Sequence, residues 1–74
     1  MNIINQKYLK SLDKNISRIR RSKSFSQLDV CALISMEKLN LSSIENGRQN
    51  PTTLTLKKIA DVIDVEVKDF FVFD

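Results

Sequence analysis

Residues 25–50 read FSQLDVCALISMEKLNLSSIENGRQN, and this stretch decides the fold. Ser26 is followed three residues later by Asp29, the pattern of a capping box, so a helix is expected to start at Ser26. Phe25, just before the cap, is placed to staple onto Val30. That helix runs to about Ile34 and buries Val30, Cys31 and Ile34. Ser35 and Met36 form a turn, with Met36 pointing inward. The next helix spans roughly Glu37 to Asn46, with Leu41 and Ile44 facing the core. Gly47 stands where a helix ends on a left-handed residue. Beyond it Arg48-Gln49-Asn50 is a polar loop, and Pro51 bars helix at Asn50. The stretch is a helix, a turn and a second helix.

Working outward, Leu9, Leu12, Ile16 and Ile19 recur at spacings of three and four and predict a first helix, from Ser11 or somewhat earlier to Lys23. Thr52 or Thr53 caps a fourth helix reaching about Ile63, with Leu56, Ile59, Ala60 and Ile63 inward. A short fifth helix holds Val67, Phe70 and Phe71. The chain has one glycine and one proline, and its strand signals are weak, so the expected class is all-α.

The bulk properties limit the rest. Seventy-four residues make one domain, and a chain this short buries only about 60% of its unfolded surface. One cysteine cannot form an internal disulfide. The absence of histidine, of a phosphate-binding glycine loop and of any plausible metal set argues against catalysis, and no cofactor, metal or small-molecule ligand is expected. No apolar run approaches a membrane span, and the N-terminus lacks the pattern of a signal peptide, so a cytoplasmic protein with no membrane contact is expected. Net charge is +3 but uneven. Residues 1–48 carry nine basic and four acidic side chains, and residues 49–74 carry three and five. That asymmetry either favours an anionic partner near the helix–turn–helix or only aids solubility.

Taken together, Ile16…Ile19-Arg20, Ser26-Gln27, Ile44-Glu45-Asn46-Gly47, Asn50-Pro51, Leu56…Ile59-Ala60…Ile63 and Val67…Phe70-Phe71 resemble the phage-repressor and Cro-type (XRE-like) helix–turn–helix family, over about Leu12 to Phe71. The resemblance implies a compact five-helix bundle of the lambda-repressor-like type. Its third helix would enter the major groove, and a homodimer would bind a roughly palindromic operator in double-stranded DNA. It further implies a phosphate anchor at Ser26 and Gln27, Gln27 also bracing the third helix. A second phosphate clamp falls on Asn46, Arg48 and Gln49 with the backbone after Gly47. A structural ion pair joins Arg20 to Glu45.

On the third helix Lys38, Leu39, Asn40, Ser42 and Ser43 are the candidates for the outer face. Lys38 can donate to guanine, and Leu39 can pack against a thymine methyl. Leu39 can equally be a partly buried or protein-contacting residue. Phe70, Phe71 and Phe73 belong to the core first, and some of them to a dimer interface, with Ile3, Ile4 and Tyr8 as further members. Cys31 is expected to be buried and inert.

Five positions depart from the family pattern. Ser35 and Asp64 replace glycines, Glu37 replaces a Ser/Thr cap, Thr53 replaces an apolar residue, and Leu39 lies where bases are often read. Small members of the family include phage repressors, antitoxins and restriction–modification controllers. The alternative is a protein-interaction module on the same scaffold, binding a toxin or RNA polymerase.

Overall fold

The computed structural model describes residues 3–72, with the side chains of residue 8 and of residues 10–72. Four α-helices follow in order: α1 (Ile3–Ser22), α2 (Gln27–Ile34), α3 (Lys38–Glu45) and α4 (Thr53–Val62). The expected fifth helix is instead a single 3-10 turn, Val67–Phe71. There is no strand among the described residues. α1 begins eight residues before Ser11. Nothing in residues 1–23 is glycine or proline, so no breaker stops the helix at the first strongly periodic apolar residue.

The caps form where local chemistry dictates. The Ser26 hydroxyl accepts the Asp29 N–H, and the Asp29 carboxylate accepts the Ser26 N–H, which closes the box at the start of α2. The hydrogen bond from the Ser26 backbone lowers the Asp29 pKa. Thr52 caps α4 through the Thr55 N–H. Glu37 precedes α3 without a side-chain cap bond, so its contribution there is its charge against the helix dipole.

All four α-helices end in one motif. A residue one or two places past the helix end turns left-handed, and the next N–H reaches back five residues to a carbonyl. The pairs are Phe25 N–H to Arg20, Met36 to Cys31, Arg48 to Ser43 and Val65 to Ala60. The left-handed residues are Ser24 (φ 64°), Ser35 (φ 55°), Gly47 (φ 71°) and Asp64 (φ 60°). Ser24, Ser35 and Asp64 are exposed, so their Cβ atoms meet only the intrinsic penalty of that conformation. At Gly47 a Cβ would stand 3.0 Å from Asp13 Oδ2. The chain's single glycine therefore sits at the one helix end where space, as well as φ, demands it.

The core is one cluster: Leu12 and Ile16 of α1, Val30 and Cys31 of α2, Leu41 and Ile44 of α3, and Leu56, Ile59 and Ala60 of α4, closed by Ile63 and Phe70. Phe25, Ile34 and Met36 pack against it part-buried. α2 packs on α3 and α4, α1 on α3 and the 3-10 turn, and α4 on the same turn. Phe70 is 0% exposed, so it cannot belong to a dimer interface, and that expectation is corrected. In a 3-10 helix, residues three apart stand over one another. Val67 and Phe70 thus share the inward side, while Phe71 turns outward against Tyr8, with ring centroids 6.3 Å apart. Phe73 and the side chains of Ile3 and Ile4 lie outside the described residues.

Buried Asn15 fastens the turn to α1. Its amide donates to the carbonyls of Phe70 (3.0 Å) and Val72 (2.8 Å), and its oxygen accepts from Arg18 (3.3 Å). The polar group is therefore fully used, as a buried amide must be.

Two substitutions test the helix-end argument. Ser35→Gly removes a left-handed Cβ and should stabilise the fold by roughly 0.5–1 kcal/mol, net of the greater freedom of the unfolded chain. Gly47→Ala should destabilise it by about 1–3 kcal/mol. Urea unfolding midpoints read both, and equal effects at the two positions would contradict the argument.

Candidate nucleic-acid interface

α3 is held by its inner side. Leu41, Ile44 and Glu45 are buried, and helical spacing then sets Leu39, Ser42, Ser43 and Asn46 along the opposite side. Lys38 and Asn40 flank that line. Leu39 is 74% exposed, which rules out its reading as a partly buried helix residue. Ser42 and Ser43 are half-buried, and Lys38, Asn40 and Asn46 are exposed. Asn46 Nδ2 donates to Ser42 Oγ at 3.3 Å, so these two side chains are pre-set relative to each other.

The orientation of α3 rests on one carboxylate. Glu45 Oε2 accepts from Arg20 Nε at 2.7 Å, and Oε1 accepts from Arg20 Nη2 at 3.0 Å. Oε1 also takes the Gln27 amide at 3.0 Å. Arg20 Nη1 donates to the Phe25 carbonyl at 2.7 Å, in the link between α1 and α2. The Arg20 and Glu45 side chains are 7% and 4% exposed. The pair is thus buried and bidentate, and it is tied to three helices at once.

Gln27 spends one amide hydrogen on this brace and keeps the other and its oxygen at the half-buried start of α2. The Ser26 hydroxyl is engaged as the cap acceptor and also hydrogen-bonds the Asp29 carboxylate. The loop after α3 differs from expectation. The Gly47 N–H bonds Ile44, and the Arg48 and Gln49 N–H groups both bond the Ser43 carbonyl. The Arg48 and Gln49 N–H groups are thus committed to closing the helix, and this loop presents outward the exposed side chains of Asn46, Arg48 and Gln49.

Beneath the loop lies Asp13, which sequence reasoning missed. It is buried against Gly47 and accepts the Lys14 N–H at 2.7 Å. Desolvation raises its pKa, against the opposing pull of the Lys14 N–H and charge. Cys31 is buried, and desolvation with the nearby Glu45 charge raises its pKa, so the thiol is a core group and a poor nucleophile. Among the described residues no His, Cys, Asp and Glu cluster could hold a metal, and no helix is long and apolar enough to cross a membrane.

Residues 16–70 match the helix-turn-helix family (HTH_3). The chain belongs to this family. The motifs had indicated the same Cro-type membership, and the match spans every element from the second half of α1 to the 3-10 turn. An uncharacterised HTH-type transcriptional regulator, y4dJ, of Sinorhizobium fredii is 39% identical over 56 residues, covering 76% of this chain and 73% of that protein. The ImmF control region 10 kDa protein of Bacillus phage phi105 is 36% identical over 58 residues, covering 78% of this chain and 64% of that protein. In three dimensions the chain resembles the restriction–modification controller protein C.AhdI of Aeromonas hydrophila, with a TM-score of 0.81 over 85% of this chain and 96% of that one. Identity there is 22%, so this last likeness speaks for the fold alone.

Removing one partner of the buried pair strands the other charge. Arg20→Ala or Glu45→Ala should cost about 3–5 kcal/mol, and Gln27→Ala about 1.5–3 kcal/mol for one bond to a charged group. Chemical denaturation of the three variants checks the order.

Asp13 predicts a pH effect of defined sign. A carboxyl whose folded pKa is raised contributes stability that is full below its unfolded pKa and is lost as pH rises through the folded value. Asp13→Asn lacks that loss, so its stability relative to the parent should grow between pH 3 and pH 7. A gap in unfolding midpoint that shrinks over the same range would overturn the assignment.

Proposed function

We propose that the protein is a sequence-specific, double-stranded-DNA-binding regulator of transcription, acting as a homodimer on a roughly palindromic operator. One observation carries the reading. An exposed, short-side-chain face on α3 is fixed by a buried three-helix network, and the exposed side chains of Asn46, Arg48 and Gln49 stand beside it. A reading helix must be rigid relative to the groups that grip the backbone, because phosphate contacts set the register in which bases are read. In this reading Gln27, Ser26, Asn46, Arg48 and Gln49 touch phosphates. Lys38, Leu39, Asn40, Ser42 and Ser43 face base edges, with Leu39 central and Lys38 to one side.

The names of the relatives agree with this role: one is a transcriptional regulator and one a phage control protein. The subtype we favour is a restriction–modification controller or a phage-type repressor, regulating its own gene in the cytoplasm, in line with the phage relative. Dimerisation would use Phe71 and Val72, exposed beside Tyr8 at the end of the 3-10 turn.

A second reading has one observation in its favour. Leu28, Leu33 and Leu39 are each more than 60% exposed, which suits a protein partner such as a toxin or RNA polymerase. Arg48 and the Asn46–Ser42 pair have no task in that reading.

Fluorescence anisotropy against the DNA upstream of the protein's own gene and against a scrambled duplex, at several salt concentrations, separates the two. A regulator should prefer its site by roughly a thousandfold or more with a steep salt slope. No binding to either duplex at low salt would favour the protein-interaction module. Within the first reading, Arg48→Ala should weaken both duplexes alike and flatten the slope by about 1. Lys38→Ala should relax preference at one base pair by about 1–3 kcal/mol. If the two variants behaved identically on both duplexes, Lys38 would not be a base reader.

A further inference from the structure

We propose that the first half of α1 carries an additional contact to the DNA backbone, made by Lys10 and Lys14 alongside Arg48. The inference rests on the DNA-binding reading and extends it to residues outside the 16–70 family match.

The first ground is the distribution of charge. Residues 3–22 hold six basic side chains and one acidic one. Arg20 is turned inward to Glu45, and Asp13, the one acid, is buried under Gly47. Of the other five bases, the four with described side chains, Lys10, Lys14, Arg18 and Arg21, point outward, spaced by four, four and three residues, which puts them in one stripe. All four are exposed, and Arg18 is tied back to Asn15.

The second ground is position. A Cβ on Gly47 would lie 3.8 Å from Lys10 Cγ, so the Lys10 stem runs beside the residue that precedes Arg48. The stripe therefore begins at the loop already assigned to phosphate and continues from it along α1. Lys14 follows one turn on. The Lys10 side chain is long enough to keep its stem beside the loop while the ammonium group reaches past it.

The third ground is chemistry. The stripe positions contain no aromatic or aliphatic anchor, and protein interfaces take most of their binding energy from such anchors. A row of flexible cations with none suits an array of phosphates, where each neutralised charge releases counterions. The partner that fits is the phosphodiester backbone of the duplex the reading helix occupies.

The test is the salt dependence of duplex binding for the full chain, on operator and on random DNA. Lys10→Gln and Lys14→Gln are made singly and together, and Lys68→Gln is the charge-matched control. Lys68 is exposed on the 3-10 turn, outside the stripe. Each stripe lysine should contribute about 0.9 to the slope of log affinity against log salt, and the double variant should lose about 1.8. The ratio of operator to random affinity should stay at its parental value, and Lys68→Gln should keep the parental slope. A double variant with the parental slope would overturn the contact, and so would a Lys68→Gln slope reduced as much as that of Lys10→Gln. Absence of salt-dependent binding by the parent protein would instead remove the DNA-binding reading itself, a result distinct from either.

Discussion

Glu45 is the point on which the molecule turns. It ends α3, yet it is buried and receives three N–H bonds, two from α1 and one from α2. Burying that pair gains little net stability, because desolvating two charges offsets most of their attraction. What it provides is direction. Hydrophobic contacts through Leu41 and Ile44 leave an eight-residue helix free to roll and slide, since apolar packing has little angular preference. A forked guanidinium on a carboxylate admits one arrangement. Through Arg20 Nη1 and the Phe25 carbonyl, the same group also sets the path by which the chain enters α2.

How much of this was legible depended on range. The capping box at Ser26 and Asp29, the left-handed Gly47, and the stop at Pro51 are local, and the residues concerned lie within four positions of one another. The Arg20–Glu45 pair crosses 25 residues and was reachable only through resemblance. Asp13 and Asn15 carried no signal at all: on sequence each is an ordinary polar residue of an amphipathic helix. Their burial follows from what lies over them, a glycine 34 positions away and a carbonyl 55 positions away. The phenylalanines show another limit. Counting apolar residues near the C-terminus does not reveal which one faces inward. That depends on whether the segment winds with 3.6 or 3 residues per turn, and the structure chose 3.

Of the candidate site, the arrangement was more legible than the division of labour. Helical spacing alone puts Leu41 and Ile44 inward and their neighbours outward. The occupied backbone N–H groups after Gly47 were not foreseeable. They show that the same left-handed turn that ends α3 also engages the Arg48 and Gln49 N–H groups. What the loop offers outward is therefore side chains, whose identity can vary without disturbing the helix end.

The three left-handed residues that are not glycine have a meaning for the life of the protein in a cell. Each holds a small intrinsic strain at an exposed position that α3 does not use for its outer face. Such strain raises the fraction of chains unfolded at any moment, and proteases act on that fraction. A single change to glycine at Ser24, Ser35 or Asp64 would lengthen residence in the folded state while leaving the α3 surface as it is. Persistence of the fold and the chemistry of the α3 surface thus rest on separate residues.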